Sequence, residues 1–444
     1  MIDTVLELLE KREYKKLREL LDEMTPFDVA RLLEELDQDQ SLKVFRLLSK
    51  DLATDVFSEL SLDGQELIIS LISDRELAYI IDDLYIDDAV DLVEELPSNV
   101  VRRILLSASS DTRNQINHFL KYPPNSMGSV MTPEFIKLTK TMRVNDAFRH
   151  IKKYAEVSAT IYVCFVTNQN NLLEGVISIR ELFLYDEDAL IGDIMIENPI
   201  SVNTHDDRER AISVFNDYDF VAIPVVDNEN RVVGIITHDD ILDVIEEETT
   251  EDIEKMAAIV PSDKPYLKTS SFDLVKNRIL WLMFLMIGDT FSSQVLHSYE
   301  DAFKVLPILV GFIPMLIDTG GNAGSQSASL IIRGLALGEI ELRDWVKVLF
   351  KELNVGVMAG LILAGINFVR IAVFYPGQIT VALTIALSVL MITIVSKLIG
   401  AVLPIIAQRF KLDPAVMASP LITTVVDGLG LIIYFQIASI LLQF

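Results

Sequence analysis

The sequence predicts a multidomain membrane protein: an all-α superhelical N-terminal domain, an α+β duplicated middle, and a membrane domain of five transmembrane helices. Three observations carry this. Half of the 444 residues are hydrophobic, yet the formal net charge is −27. That charge is uneven: of 38 basic and 65 acidic residues, 11 and 10 fall from Lys276 to Phe444, which leaves 27 and 55, a net of −28, before Lys276. Finally, long apolar runs occur only after about residue 277, and residues 126–248 repeat themselves.

In residues 1–125 apolar positions recur at three and four, as in "VARLLEEL" and "AVDLVEEL". That is helical spacing. Acidic ends and short breaks give about twelve residues per helix and turn, a solenoid-like pattern rather than a bundle. The opening "MIDTVLELLEKREYKKLREL" reads as a charged amphipathic helix, not a signal peptide, so this part is expected in the cytoplasm. So acidic a surface disfavours nucleic acid, whose phosphates need a basic face, and favours cations. The single cysteine, Cys164 in "TIYVCFV", rules out an intrachain disulfide framework and reads as core.

The middle divides into residues 126–190 and 191–245. "SVMTPEFIKLTKTMRVNDAFRHI" aligns with "DIMIENPISVNTHDDRERAISVF", and "IYVCFVTNQNNLLEGVISI" with "FVAIPVVDNENRVVGIIT". Each copy reads strand, helix, strand, turn, strand, helix, with "NQNN" and "DNEN" as hairpin turns. With "VMTP" and "PVVDNENRVVGIITHDDIL", the duplication resembles a tandem pair of cystathionine-β-synthase-type (CBS) domains. The resemblance implies a cleft that can take an adenine nucleotide such as ATP, with Asp240 at the ribose and Thr237 facing phosphate. Residues 246–275 start as a charged helix and become a Pro/Ser connection to the membrane part, 276–444.

Five spans are expected near Ile279–Val295, Val305–Ile332, Val346–Phe374, Ile379–Ile406 and Pro414–Leu442, the longer of which must tilt, break or bend. Basic connections at Arg333–Lys351 and Arg409–Lys411 belong inside by the positive-inside rule, which puts Phe444 outside. Asp318 and Asp427 lie inside apolar runs. A membrane-centred Asp costs roughly 2.5–3.5 kcal/mol on insertion scales, and such residues normally line a wet path. A structural partner for Asp427 would be Lys397. Around Asp318, "TGGNAGSQSAS" packs Gly321, Asn322 and Ser325 together. Its glycines either allow close helix packing or open the helix. Pro420 is expected to free a carbonyl near residue 416. Ser419 and Thr423 share the face of Asp427. Oxygen ligands without thiolate or imidazole favour hard cations, and few carboxylates among neutral oxygens suit Mg²⁺.

"DTGGNAGSQSASLIIRGLALGEI" and "DPAVMASPLITTVVDGLGLIIYF", with the domain order, resemble the MgtE family of magnesium channels over essentially the whole chain. The resemblance implies a homodimer in the cell membrane, with one ion path at the two-fold axis lined by the second and fifth spans. Asp427 then matches the ion-binding carboxylate, while Ser419 stands where the family often has Asn. It implies closure by cytoplasmic Mg²⁺ at acidic interfaces. The matching positions are Asp207, Glu209, Asp219, Asp240, Asp243, Glu248, Glu251 and Asp252, with Asp87 and Asp91 as partners from the helical domain. The alternatives are a proton- or sodium-coupled divalent-cation carrier and, remotely, an intramembrane aspartyl protease. The latter's "YD…GxGD" is replaced here by "IDT" and "VDGLG".

Overall fold

A computed structural model describes residues 2–262, 266–267, 269–300 and 307–442. Residues 1–245 and 246–444 form two compact units.

The first unit begins with ten short helices, α1 (Ile2–Glu10) to α10 (Ser110–Phe119). From the third on, their N-caps are Thr25, Asp37, Ser49, Ser61, Ser73, Tyr85, Pro97 and Ser109, twelve residues apart each time. Thr25, Asp37, Ser49, Ser73 and Ser109 accept a backbone N–H with the side chain, so each turn ends one helix and starts the next. Apolar side chains from successive helices, such as Leu33, Phe57, Ile81 and Ile104, line one continuous core.

Next come β1 (Phe135–Leu138), α11 (Val144–Tyr154), β2 (Thr160–Thr167), β3 (Leu173–Ser178), α12 (Ile179–Leu182), α13 (Ile191–Ile194) and β4 (Ile196–Glu197). The second copy has β5 (Val202–Asn203), α14 (Glu209–Tyr218), β6 (Ala222–Val226), β7 (Val232–Thr237) and α15 (His238–Met256). The sheets have orders β1-β2-β3-β4 and β5-β6-β7. In both copies the first pair is parallel and the second antiparallel. The copies join through bridges Thr132–Ile235 and Leu172–Arg231. Cys164 is buried in the first copy's core, and burial pushes its thiol up to about 12, which makes it an inert packing residue. α15 carries the last helix of the duplication straight into the charged connector, where composition suggests two elements.

The second unit contains α16 (Ser271–Ser298), α17 (Ile313–Ala336), α18 (Trp345–Phe374), α19 (Ile379–Arg409) and α20 (Ser419–Leu442). Among the described residues four helices are long and apolar enough to cross a membrane; α17 falls short because polar and small residues interrupt it. Of the three ways expected for a long span to fit, two spans show a break. The second begins as a 3₁₀ turn, Pro307–Phe312, and the fifth as Pro414–Met417, followed by extended Ala418.

One open alternative is decided and one local expectation fails. α17 runs unbroken through Gly320 and Gly321, so these glycines do not open the helix. They serve packing: a Cβ on Gly320 would lie 2.8 Å from Ile392 and Val426, and one on Gly400 would collide with the Gly324 carbonyl oxygen. Pro420 is the second residue of α20, where no intrahelical N–H bond is needed, so it starts the helix and frees no carbonyl.

Candidate ion path and acidic cluster

α17 lies against both α19 and α20. Gly321 faces Thr423, where an added Cβ would come within 2.9 Å of Cγ2. One turn further along α17, the Ser325 and Ser419 hydroxyls are 2.8 Å apart. The Thr423 and Thr424 hydroxyls both donate to the Pro420 carbonyl, at 2.9 and 3.0 Å. Asp427 follows one turn above Thr423. Its Oδ1 is buried and has no hydrogen-bond partner among the described residues. A buried unpaired carboxylate oxygen is costly and needs a compensating positive charge.

Asp318, Asn322, Gln326 and Ser329 form an exposed polar stripe at helical spacing along α17. Gly321, Ser325, Ser419, Thr423 and Asp427 are thus brought together, with Asp318 and Asn322 on the adjoining open face. Lys397 does not pair with Asp427. It is buried on α19 and donates to Ser327 at 3.3 Å, while Ser327 donates to buried Glu352 at 2.5 Å. The sequence reading passes over Asp289 on α16, near enough to act electrostatically on Asp427. Its signal, an acid in the apolar run "LMIGDTF", is the one that marks Asp427.

In the first unit, α8 (Ile86–Glu95) presents Asp87 and Asp88 in its first turn. Burial holds the Asp87 carboxyl well above the usual range, and Asp88, Asp240 and Glu134 add to the effect. Asp87 Oδ1 is buried and has no hydrogen-bond partner among the described residues. Burial, then Asp240, Glu59 and Glu134, push Asp88 up to about 6, although its surface keeps contact with water, which screens it. Burial also raises Glu134 and Asp240. Asp91 lines a recess of about 210 Å³ with Asp88 and Glu95. The fold therefore assembles carboxylates from four chain segments. Glu59, Asp88 and Glu134 are the members the sequence reading misses, because only the tertiary fold brings them to Asp87 and Asp240.

Asp240 has a structural duty as well. Its Oδ2 accepts from the Thr237 backbone N–H at 2.9 Å and hydroxyl at 2.5 Å. Ser178 and Glu181 make the same box in the first copy. Among the described residues Asp240 Oδ1 keeps no hydrogen bond and suits a ligand hydroxyl.

Asp207 and Glu209 sit together at the start of α14, where Asp207 accepts the Glu209 N–H at 3.0 Å. Asp219 caps the other end in the left-handed region, φ 52°. Asp243 lies within α15. In the second unit, Glu248, Glu251 and Asp252 continue α15. Lys255 bridges Glu251 at 2.5 Å and Asp413 at 2.7 Å. Burial first, then Asp413, push Asp252 up to about 6. Among the described residues no three His, Cys, Asp or Glu side chains are arranged to hold a metal ion, so these are charge clusters rather than finished ligand cages.

Family models for an intracellular N domain, CBS domains and a divalent cation transporter match residues 24–125, then 127–188 and 191–247, then 313–437. A magnesium transporter MgtE from Thermus thermophilus is 34% identical over 98% of this chain and 97% of its own length. The chain belongs to the MgtE family of divalent cation transporters. An MgtE from Bacillus subtilis is 30% identical over 99% of this chain and 97% of its own. Two solved structures also match, each at 32% identity. The soluble part of a magnesium transporter has a TM-score of 0.53 over 56% of this chain and 97% of that one. The cytosolic domain of the Mg²⁺ channel MgtE in complex with ATP scores 0.52 over 55% and 100%. Membership of this family supports a transporter.

Proposed function

We propose that this MgtE-family chain conducts Mg²⁺ into the cell as a homodimer in the cell membrane, with residues 1–275 cytoplasmic and the C-terminus outside. The path runs along α17 and α20. The observation that carries this reading is the buried, unpartnered Asp427 oxygen in line with Thr423 and the Ser325–Ser419 pair. A cation passing there removes the cost of the buried carboxylate, and the hydroxyls and water complete its shell. Mg²⁺ keeps several waters, so one carboxylate per chain suffices. The exposed stripe Asp318–Asn322–Gln326–Ser329 cannot face lipid chains. A second copy across a two-fold axis turns it towards water.

Cytoplasmic Mg²⁺ closes the channel. Its binding residues are the Asp87, Asp91 and Asp240 group, extended by Asp88 and Glu134. Asp207, Glu209, Asp219 and Asp243, and Glu248, Glu251 and Asp252 on the connecting segment, complete the set. The unpartnered Asp87 oxygen and the mutual repulsion of these acids fit a divalent ion. ATP binds the CBS pair through Asp240 and Thr237. Current across a bilayer under a Mg²⁺ gradient alone tests the reading; transport requiring a proton or sodium gradient would make the protein a coupled carrier.

A further inference from the structure

α18 has 30 residues and α19 has 31. At about 1.5 Å per residue each spans about 45 Å, against a hydrocarbon thickness of about 30 Å. Their last turns therefore reach the headgroup layer. At one shared end, where α18 begins and α19 finishes, lies a groove of about 700 Å³. Leu349, Ile405 and Ile406 give it an aliphatic wall, and Trp345, Arg343 and Arg409 also line it. Exposed Trp is typical of the membrane interface.

The charges there are unbalanced. Glu341 engages Arg343 only along its Nε–Nη2 edge, at 2.7 Å for each bond. Arg409 makes no ion pair among the described residues, and exposed Lys411 follows two residues on. Asp344 also acts electrostatically on Arg343 but is paired with Lys347, so Glu341 is the carboxylate that engages a guanidinium beside the aliphatic slot, and Arg409 engages none among the described residues. An inorganic anion would leave the slot unfilled. A zwitterionic lipid would bring a cation of its own to the arginines.

We propose that this groove binds one anionic phospholipid, with its phosphate on Arg343 Nη1 and Arg409 and an acyl chain along Leu349, Ile405 and Ile406. The lipid braces the α18–α19 pair at the end where two of the basic connections lie.

The test is native mass spectrometry of the full-length protein in detergent, titrated with phosphatidylglycerol or with phosphatidylcholine of the same chains. The parent should retain phosphatidylglycerol preferentially. A basic side chain near an anionic surface contributes about fivefold in affinity, so the double variant Arg343→Gln/Arg409→Gln should lose about 30-fold. The double Lys variant should restore most of it, and Lys411→Gln should change little. Leu349→Trp fills the slot while keeping both charges, and should also lose the lipid; it carries the test should the double Gln variant not fold. Equal retention of the two lipids by the parent, or undiminished phosphatidylglycerol on Leu349→Trp, would overturn the proposal. So would displacement of the lipid by inorganic phosphate, which would reduce the groove to a simple anion site.

Discussion

Lys397, Ser327 and Glu352 form a buried polar chain between three helices of the membrane part. Removing one charge from such a set leaves the other uncompensated, at a cost of about 3–5 kcal/mol, whereas replacing both by apolar or neutral groups is often close to neutral. Lys397→Met should therefore lower the thermal unfolding midpoint sharply in detergent. Lys397→Met/Glu352→Gln should recover most of the loss; a double variant as unstable as the single one would show that the chain is not coupled. At Asp88 the deciding quantity is protonation. Its folded pKa, about 6, lies above the ordinary 3.8, so the folded state holds more protons than the unfolded chain between those values. Asp87, Glu134 and Asp240 shift in the same direction. Without divalent ions, the soluble fragment 1–270 should gain stability as pH falls from about 6 towards 4. Saturating Mg²⁺ should flatten that slope, because the metal replaces the protons. Melting curves at several pH values, with and without Mg²⁺, read both effects.

At the scale of elements, glycine sets how closely the membrane helices approach. Gly400 and Gly324 put the backbones of α19 and α17 in contact. Gly400→Val should force these helices apart and prevent a folded protein from accumulating, whereas Gly365→Val, at a glycine with nothing within 4 Å of an added Cβ, should be tolerated. Expression and gel-filtration profiles of the two variants distinguish this from a general intolerance of β-branched residues. The same glycines show where sequence reasoning stops. "TGGNAGSQSAS" allows either a hinge or a close contact, and only the neighbouring backbone decides between them. The twelve-residue step of the first domain was legible because apolar residues recur at three and four and short breaks separate the runs. The continuity of α15 was not, since a shift in composition at residue 245 looks like a boundary and charged residues extend a helix equally well. Lys397 was a reasonable partner for Asp427 by chemistry, but its position on α19 gives it to Ser327.

In the whole molecule, an acidic N-terminal part is joined to a nearly neutral membrane part. The carboxylates of the first unit repel one another, and divalent ions remove that repulsion over about a Debye length, near 8 Å at physiological salt. Fragment 1–270 should therefore become more compact by small-angle scattering as Mg²⁺ rises. Neutralising Asp207, Glu209, Glu248 and Glu251 together removes ligands along with repulsion, so channels carrying all four changes should stay open at cytoplasmic Mg²⁺ that closes the parent. Excised-patch recordings across a Mg²⁺ range decide this; closure at the parent's concentration would reduce the acidity to a solubility feature. The ion path itself rests on Asp427, and the most direct measurement is Mg²⁺ uptake by proteoliposomes containing the parent, Asp427→Ala or Asp427→Asn at equal protein and equal oligomeric state. The account predicts Mg²⁺ uptake by the parent, none by Asp427→Ala and little by Asp427→Asn; parental uptake by a folded Asp427→Ala protein would contradict it.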